Sequence, residues 1–332
     1  MSEDIGIDLG TATVIIYING KGIVLKEPSV IAIEKKTNKV LAVGDKAKRM
    51  LGRAPKDIEI IEPLSEGVIS NFTATTRMLK QFMKKVNTSK FGSTRIMICV
   101  PSQTTEVEKR AVLDTAVQLE SAKKVYLIEE PVAAAIGAGI DISKPCGNLV
   151  IDIGGGTTDI AVISISGAVV STSTRTAGNQ FDEAIMKYVK KRYNLLIGKL
   201  TAEILKEKIG TVYPMEEELT EPVRGKNIST GLPMEVNITS KELLQVLFPE
   251  ALKIVDAVKS TMEKAPPELI EDISERGIYV TGGGSQIKGM AKLIEDSTGI
   301  KTILADEPAS CVAIGTGKAL DNLNLLSSKA RR

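Results

Sequence analysis

Residues 149–159 have the sequence LVIDIGGGTTD, in which an apolar strand ends at an aspartate and a Gly/Thr turn follows. The chain begins with a second version of this pattern, IGIDLGTAT, over residues 5–13. In both copies a β-branched run follows the turn, which predicts a returning strand. Asp8 and Asp152 occupy matching places and lie 144 residues apart in a chain of 332. We therefore expect two related halves, each presenting an aspartate and a Gly/Thr hairpin.

Strands alternate with helices along the rest of the chain, which is typical of an α/β fold. An apolar run at 96–100 ends at Pro101, and the helix that follows begins with a capping-box pattern at Thr105 and Glu108. The stretch 211–238, which holds three prolines and three consecutive glutamates, is interpreted as a variable segment. The pattern predicts helices over 73–86, 105–118, 132–138, 181–194, 201–208, 239–264 (with a possible break near Pro249), 287–297 and 309–326.

Composition excludes several classes of protein. The net charge of +2 argues against a dedicated nucleic-acid binder, and the chain has no Trp and 3% aromatic residues, which disfavours a base-stacking surface. The absence of His excludes Ser-His-Asp catalysis and His-ligated zinc. Three widely spaced cysteines indicate reduced thiols. Because no long apolar run and no signal-peptide pattern is found, we expect a cytoplasmic protein.

Three Gly-rich turns each follow an apolar strand, and they are the candidates for binding an anion. Glycine lets backbone N–H groups approach a phosphate closely, and threonine hydroxyls can add donors. None of the turns is a P-loop, because no Gly-Lys-Ser/Thr follows. A tight hairpin without a ligand is the alternative for each turn alone. The candidate residues are Gly10, Thr11, Ala12 and Thr13; Gly154, Gly155, Gly156, Thr157 and Thr158; and Gly282, Gly283 and Gly284.

Three carboxylates accompany these turns. Asp8 and Asp152 end their strands, so they could face each other across a cleft and hold Mg²⁺ through water; alternatively, each caps its own turn. Glu130 precedes Pro131 at a strand-to-helix junction. It could accept a hydrogen bond from a water aligned on a phosphate, or it could be an ordinary first-turn carboxylate favoured by the helix dipole.

The chain resembles the actin-like ATPase superfamily, most closely the MreB family of bacterial actins, as a divergent paralogue. The matching stretches extend from residue 5 to about residue 318. They are IGIDLGT (5–11), KEPSV (26–30), CVPS (99–102), EVEKRA (106–111), EEPVAAAIG (129–137), DIGGGTTD (152–159), NLLIG (194–198), TAE (201–203), PPEL (266–269) and TGGG (281–284).

The resemblance implies two RNase H-like domains, or four subdomains, around a nucleotide cleft. Domain I is assigned to 1–145, with a subdomain inserted at about 33–65 and a C-terminal helix, 306–332, returning to it. Domain II is assigned to 146–305, with an insertion at about 180–240. The implied cofactors are ATP or ADP with Mg²⁺. The implied catalytic residues are Glu130 and Thr157, and Gly178, Glu203 and Lys206 are implied near the ribose and base.

The resemblance further implies assembly. The implied partners are further copies of the chain, forming antiparallel double protofilaments, together with other MreB paralogues and cell-shape membrane proteins. The implied location is peripheral, at the inner face of the cell membrane. Phe91 beside Lys84, Lys85 and Lys90, and the basic tail 329–332, are candidates for membrane contact.

Three departures from the family pattern are found. Thr13 replaces the usual asparagine, Glu62 replaces an arginine, and Asn179 replaces an aspartate. They leave the catalytic outline intact but put turnover rate and filament contacts in doubt. The alternatives to a cytoskeletal ATPase are a small-molecule kinase of the same superfamily and a nucleotide-binding scaffold with negligible turnover. A chaperone-type ATPase is disfavoured, because the chain ends soon after the ATPase core.

Overall fold

The computed structural model describes residues 4–86, 94–119 and 122–323. The strands are β1 (Asp4–Leu9), β2 (Thr13–Ile18), β3 (Gly22–Pro28), β4 (Ile31–Glu34), β5 (Val40–Val43), β6 (Ile58–Ile61), β7 (Leu64–Ser65), β8 (Val68–Ile69), β9 (Thr94–Val100), β10 (Ala122–Glu129), β11 (Asn148–Ile153), β12 (Thr158–Ser164), β13 (Gly167–Thr174), β14 (Leu195–Leu196), β15 (Thr220–Asn227), β16 (Pro233–Thr239), β17 (Ile278–Thr281) and β18 (Thr302–Leu304).

The helices are α1 (Asp45–Lys48), α2 (Phe72–Val86), α3 (Glu106–Val117), α4 (Glu130–Gly137), α5 (Gly178–Tyr193), α6 (Lys199–Ile209), α7 (Ser240–Glu263), α8 (Pro267–Arg276), α9 (Met290–Thr298) and α10 (Cys311–Ala319). Short 3₁₀ turns occupy Gly283–Gln286, Pro308–Ser310 and Leu320–Asn322.

Two five-stranded sheets repeat one topology. The first has the order β10-β9-β1-β2-β3 and the second the order β13-β12-β11-β17-β18. In each sheet the motif strand, β1 or β11, pairs antiparallel with the strand that follows it and parallel with a later strand. The two related halves expected from the repeated motif are therefore present, and both aspartates lie at corresponding strand ends.

A shared apolar layer joins the two sheets. Helices α4 and α10 pack closely, since a Cβ on Gly315 would lie 1.7 Å from the carbonyl oxygen of Ala133. A Cβ on Gly137 would lie 1.8 Å from the carbonyl oxygen of Cys311. One buried cluster contains residues of α4 and α10 together with Met97 of the first sheet and others of the second. Because side chains here are small, the halves are held closely on one side of the molecule.

The predicted helices are found with shifted ends. The capping box of Thr105 and Glu108 is confirmed at the start of α3. Helix α7 is continuous through Pro249, contrary to the possible break. Because Pro249 has no N–H, the carbonyl group of Gln245 lacks its usual donor within the helix. Both residues lie on the exposed face of α7, so water can hydrate that carbonyl group. The predicted terminal helix divides into a 3₁₀ turn, α10 and a second 3₁₀ turn, and its end lies outside the described residues.

The variable segment 211–238 contains strands that its sequence did not reveal. Its strands β15 and β16 form a separate small sheet with β14, which lies earlier in the chain. Val223 is a buried residue of a largely exposed β15. Pro222 and Pro233 lie within β15 and β16. Proline and weak alternation both lower the sequence signal for a strand.

Candidate functional site

A cleft of about 470 Å³ is lined by residues of both halves. It contains the predicted catalytic and metal-associated residues Glu130, Asp8 and Asp152. It also contains every predicted nucleotide-binding residue except Thr158, namely Gly10, Thr11, Ala12, Thr13, Gly154, Gly155, Gly156, Thr157, Gly178, Glu203, Lys206, Gly282, Gly283 and Gly284.

The first two Gly-rich turns touch each other. A Cβ on Gly155 would lie 2.5 Å from the Cβ of Ala12, and a Cβ on Gly156 would lie 2.5 Å from Oγ1 of Thr11. Any larger side chain at 155 or 156 must therefore displace the opposite turn. The glycines are needed because they allow turns from two different sheets to meet.

The third turn packs behind the second. Gly282 has a φ of +86°, and a Cβ there would lie 2.3 Å from the carbonyl oxygen of Ile153. A Cβ on Gly284 would lie 2.8 Å from the carbonyl oxygen of Gly154. The third turn thus lies against the end of β11 and the start of the second turn, and it lines the cleft as well.

Thr158 is the exception among the predicted binding residues, and its assignment is corrected here. Its side chain is fully buried, and its hydroxyl donates to the carbonyl oxygen of Thr176 at 2.7 Å. Thr158 opens β12 and pairs with Ile153, whereas Thr157 precedes the strand and lines the cleft. The hydroxyl of Thr158 is therefore occupied inside the protein, whereas Thr157 remains in the turn beside the cleft.

The aspartates of the cleft are close enough for their charges to interact; Asp152 is buried and Asp8 is half-buried. Burial raises the pKa of Asp8 to about 6, while the Cys99 thiol and Lys26 oppose the rise. Burial raises the pKa of Asp152 to about 7, with a further increase from the charges of Asp8 and Asp159, and a hydrogen bond from a threonine opposes the rise. Such a group of acids is costly to ionise together, so it favours a bound cation.

Glu130 is the first residue of α4 and is 9% exposed. Burial raises its pKa well above the usual range, and the charges of Asp159, Asp152 and Asp8 act in the same direction. Pro131 occupies the first turn of the helix, as expected. The helix start therefore places a carboxyl group that favours protonation among the other acids of the cleft.

Replacing Asp152 by asparagine is expected to stabilise the protein when nucleotide and Mg²⁺ are absent. Because the folded state holds the proton of Asp152 more tightly than the unfolded chain does, the free energy of unfolding falls as pH rises from about 4 to about 7. Above pH 7 the ionised group destabilises the fold. We expect Asp152→Asn to raise the melting temperature at pH 8 by about 2–4 °C, or roughly 1 kcal/mol.

This difference should shrink at pH 5, where Asp152 is protonated in the folded wild type. Asp256→Asn, at an exposed position on α7, is the matched control and should leave the melting temperature unchanged. An Asp152→Asn protein that melts at or below the wild-type temperature at pH 8 would contradict the expectation.

Sequence reasoning missed the surroundings of Thr157. Gly67, in the β7–β8 turn, has a φ of +78°, and a Cβ there would lie 3.0 Å from Cγ2 of Thr157 and 2.8 Å from Cγ of Pro101. Its N–H donates to Oγ1 of Thr11 at 2.9 Å. The repeated motif did not point to Gly67, because a single glycine carries no pattern.

Asp159 is also buried; burial raises its pKa to about 6, while hydrogen bonds from the Ser102 N–H, Ser173 and Thr157 oppose the rise.

The cleft residues of the second half are held by ion pairs and hydrogen bonds. Nζ of Lys206 lies 2.8 Å from Oδ1 of Asp182 and donates to the carbonyl oxygen of Gly178 at 3.0 Å. Asp182 lines the cleft as well, although sequence analysis did not select it. Together these contacts tie the start of α5 to the last turn of α6.

Three ion pairs connect residues before β9 with residues after β13. Their side chains are partly exposed, so each pair alone contributes little to stability. One of them uses Glu62, the position where the resemblance led us to expect an arginine. The pairs are Lys48–Glu203 at 2.8 Å, Glu62–Lys199 at 2.6 Å and Glu66–Arg175 at 2.9 Å.

Exchanging the charges of the Glu62–Lys199 pair tests this connection. Glu62→Lys or Lys199→Glu alone is expected to lower the free energy of unfolding by about 0.5 kcal/mol, because like charges then face each other. The double variant should recover most of that loss. Urea unfolding at low salt measures the free energy of unfolding of the two single variants and the double variant. If the loss in the double variant equals the sum of the two single losses, the two side chains do not interact directly.

Comparison with known proteins supplies the family. A sequence model described as "MreB/Mbl protein" matches residues 2–328. The cell shape-determining protein Mbl of Bacillus subtilis (strain 168) is 47% identical over 329 residues, covering 99% of this chain and 98% of the relative. The chain belongs to the MreB/Mbl family. The cell shape-determining protein MreB of Escherichia coli (strain K12) is also 47% identical, over 98% of this chain and 95% of the relative.

Solved structures confirm the fold of this MreB/Mbl protein. The crystal structure of MreB5 of Spiroplasma citri bound to ADP matches with a TM-score of 0.92 and 39% identity, over 97% of each chain. The same protein bound to AMPPNP matches with a TM-score of 0.93. A double helical filament of MamK matches with a TM-score of 0.83 at 20% identity, which shows the fold alone. The actin-like α/β fold expected from the resemblance is therefore confirmed.

The predicted membrane contacts are largely untested by the structure. In the described part of the chain, no helix combines the length and the apolar character that crossing a bilayer requires. Phe91, Lys90 and the tail 329–332 lie outside the described residues. Of the neighbouring lysines, Lys85 is paired with Glu27.

Proposed function

We propose that this MreB/Mbl protein binds ATP with Mg²⁺ in the cleft, hydrolyses it slowly and assembles into filaments that contribute to cell shape. The contact between the two Gly-rich turns carries the proposal, since it brings two sets of backbone N–H groups and two strand-end aspartates to one cleft. The curated relatives are named as cell shape-determining proteins, and the solved structures of MreB5 contain ADP or AMPPNP.

The three turns bind the phosphates in this proposal. Backbone N–H groups of Gly10–Thr13 and Gly155–Thr157 donate to phosphate oxygens, and the hydroxyls of Thr11 and Thr13 can add donors. The N–H of Gly154 instead closes its own turn by donating to the carbonyl oxygen of Thr157. Gly282–Gly284 approach from a third side. Thr158 contributes no side chain, because its hydroxyl is buried and already donates to a carbonyl oxygen.

The sugar and base are assigned to the region of Gly178, Glu203 and Lys206. These residues line the same cleft as the turns, and Lys206 is fixed by Asp182 and by the carbonyl group of Gly178. Glu203 is paired with Lys48 across the cleft, so nucleotide binding and contact between the halves involve the same side chain.

The donor set of the cleft fits a hydrated Mg²⁺. Asp152, which is buried, and Asp8, which is half-buried, supply carboxylate oxygens to the cleft, and within the described residues no group of three His, Cys, Asp or Glu side chains could hold a metal by itself. Mg²⁺ commonly keeps several waters and joins one or two carboxylates to phosphates. When bound, it neutralises charge on the phosphate oxygens.

Glu130 and Thr157 are the proposed catalytic residues. Glu130 lines the cleft, and the charges of Asp152 and Asp8 help to keep it protonated. A cation bound at those aspartates would offset their charges, and the ionised Glu130 could then accept a proton from an attacking water. Thr157 places a hydroxyl at the same wall, where Asp159 hydrogen-bonds it and Gly67 packs against it. These residues orient water; the phosphate turns hold the transferred group.

The subunit of the proposed assembly has the two domains that the resemblance implies, 1–145 and 146–305. Their insertions lie at about 33–65 and 180–240. The partners are further copies of the chain in an antiparallel double protofilament, other MreB paralogues and cell-shape membrane proteins. The proposed location is the cytoplasmic face of the cell membrane, where filaments lie peripherally.

Sedimentation and electron microscopy with ATP, ADP and no nucleotide test the proposal. We expect filaments that depend on nucleotide, together with slow release of phosphate. A protein that stays monomeric under all three conditions and phosphorylates a sugar would instead be a small-molecule kinase. Filaments with no measurable phosphate release would leave a nucleotide-binding scaffold.

A further inference from the structure

The two cleft aspartates have equivalent neighbours in the two sheets. Asp152 on β11 lies opposite Thr281 on the parallel strand β17. In the first sheet, β1 pairs in parallel with β9 through Ile7 and Ile98, which immediately precede Asp8 and Cys99. The repeated topology therefore places Cys99 and Thr281 at corresponding positions beside the two aspartates.

Both neighbours donate a hydrogen bond to the aspartate that they face. Oγ1 of Thr281 donates to Oδ1 of Asp152 at 2.7 Å, and Sγ of Cys99 donates to Oδ1 of Asp8 at 3.5 Å. Thr281 is fully buried and Cys99 is 3% exposed, so water does not compete for these contacts. Burial, followed by the charges of Asp8 and Glu130, raises the pKa of the Cys99 thiol well above its usual value, which keeps its proton for donation.

We propose that Cys99 and Thr281 are a matched pair of positioning residues, each fixing one oxygen of a cleft aspartate so that the carboxylate is oriented toward a hydrated Mg²⁺. The inference rests on the proposed function, because it concerns how the nucleotide's cation is held. Neither residue contacts the nucleotide in this proposal; each acts through its aspartate. Partners of this kind fix the orientation of metal-associated side chains.

The two donors differ in strength, and this predicts an asymmetry. A hydroxyl forms a short, strong hydrogen bond to a carboxylate, whereas a thiol is a weak donor. The bond from Thr281 is correspondingly shorter than the bond from Cys99. Asp152 is therefore held more firmly than Asp8, and losing Thr281 should have the larger effect.

The test compares the affinity for a fluorescent ADP analogue in Mg²⁺ and in EDTA, using the full chain. Thr281→Val is expected to weaken binding in Mg²⁺ by about tenfold, and Cys99→Ala by about threefold, with changes below about twofold in EDTA. Thr281→Ser and Cys99→Ser keep a hydrogen-bond donor. They should therefore retain most of the wild-type ratio between the affinity in Mg²⁺ and the affinity in EDTA. Mn²⁺ binding, followed by electron paramagnetic resonance, should weaken in the same order.

Equal losses in Mg²⁺ and EDTA, or no loss in Mg²⁺, would overturn the positioning role while leaving nucleotide binding intact. Failure of the wild type to bind the analogue would instead refute the proposed function. Should Thr281→Val not fold, Thr281→Ala removes the same donor without placing a new methyl group beside Asp152. If a folded Thr281→Ala protein kept the wild-type ratio between the affinity in Mg²⁺ and the affinity in EDTA, the inference would be equally overturned.

Discussion

Glu130→Gln should bind ATP with nearly wild-type affinity and hydrolyse it at least about 100-fold more slowly. The amide keeps the size of the side chain but cannot accept a proton from water. Glu130 lies among the acids of the cleft, and burial together with their charges raises its pKa well above the usual range. The phosphate contacts are assigned to the Gly-rich turns, so the substitution should leave binding intact. Single-turnover phosphate release and equilibrium binding of a fluorescent ATP analogue measure the two quantities separately.

Glu106→Gln is the matched control for this prediction. Glu106 is also a first-turn glutamate, but it lies at the start of α3 with its side chain 89% exposed. Its substitution should leave hydrolysis unchanged. Wild-type hydrolysis by Glu130→Gln would remove Glu130 from the catalytic assignment, and loss of binding would show that the residue supports the cleft itself.

Gly155→Val should weaken ADP binding by roughly 10- to 100-fold. The new side chain would begin 2.5 Å from the Cβ of Ala12, so the two turns must separate before both can contact phosphate. Overpacking of this kind costs about 1–3 kcal/mol, and 1.4 kcal/mol corresponds to tenfold in affinity. Gly155→Ala should have a smaller effect in the same direction, as measured by calorimetric titration.

Gly167→Val provides the comparison. A Cβ on Gly167 would meet nothing within 4 Å, and its φ lies outside the left-handed region, so binding and stability should stay close to wild type. Unchanged ADP affinity in Gly155→Val would mean that the contact between the turns is not needed for binding.

The repeated motif was sufficient to predict the two sheets. An aspartate, a Gly/Thr turn and a returning strand are all local features, and the apolar strands before them are strongly patterned. The same pattern allowed Asp8, Asp152 and the three turns to be selected together. Thr158 was selected wrongly, because its buried hydroxyl donates to the carbonyl oxygen of Thr176, a contact that the sequence of the turn does not reveal.

Other features of the cleft could not be predicted, because they depend on how distant segments are placed. Glu62 and Lys199 are 137 residues apart, and no local pattern relates them. The hydrogen bond from Thr281 to Asp152 likewise depends on the pairing of β11 with β17. A mostly exposed, proline-containing strand such as β15 gives too weak an alternation to be recognised.

The turn at Glu66 and Gly67 has a consequence for filaments. Gly67 packs tightly against Thr157 inside the cleft, and the next residue back, Glu66, holds Arg175 at the molecular surface. Because there is no room even for a Cβ between Gly67 and Thr157, a displacement of Thr157 toward this turn would press on the residue next to an exterior ion pair. In the proposed filament, a neighbouring subunit would then meet a surface that differs before and after hydrolysis, so the age of a filament would be readable from outside.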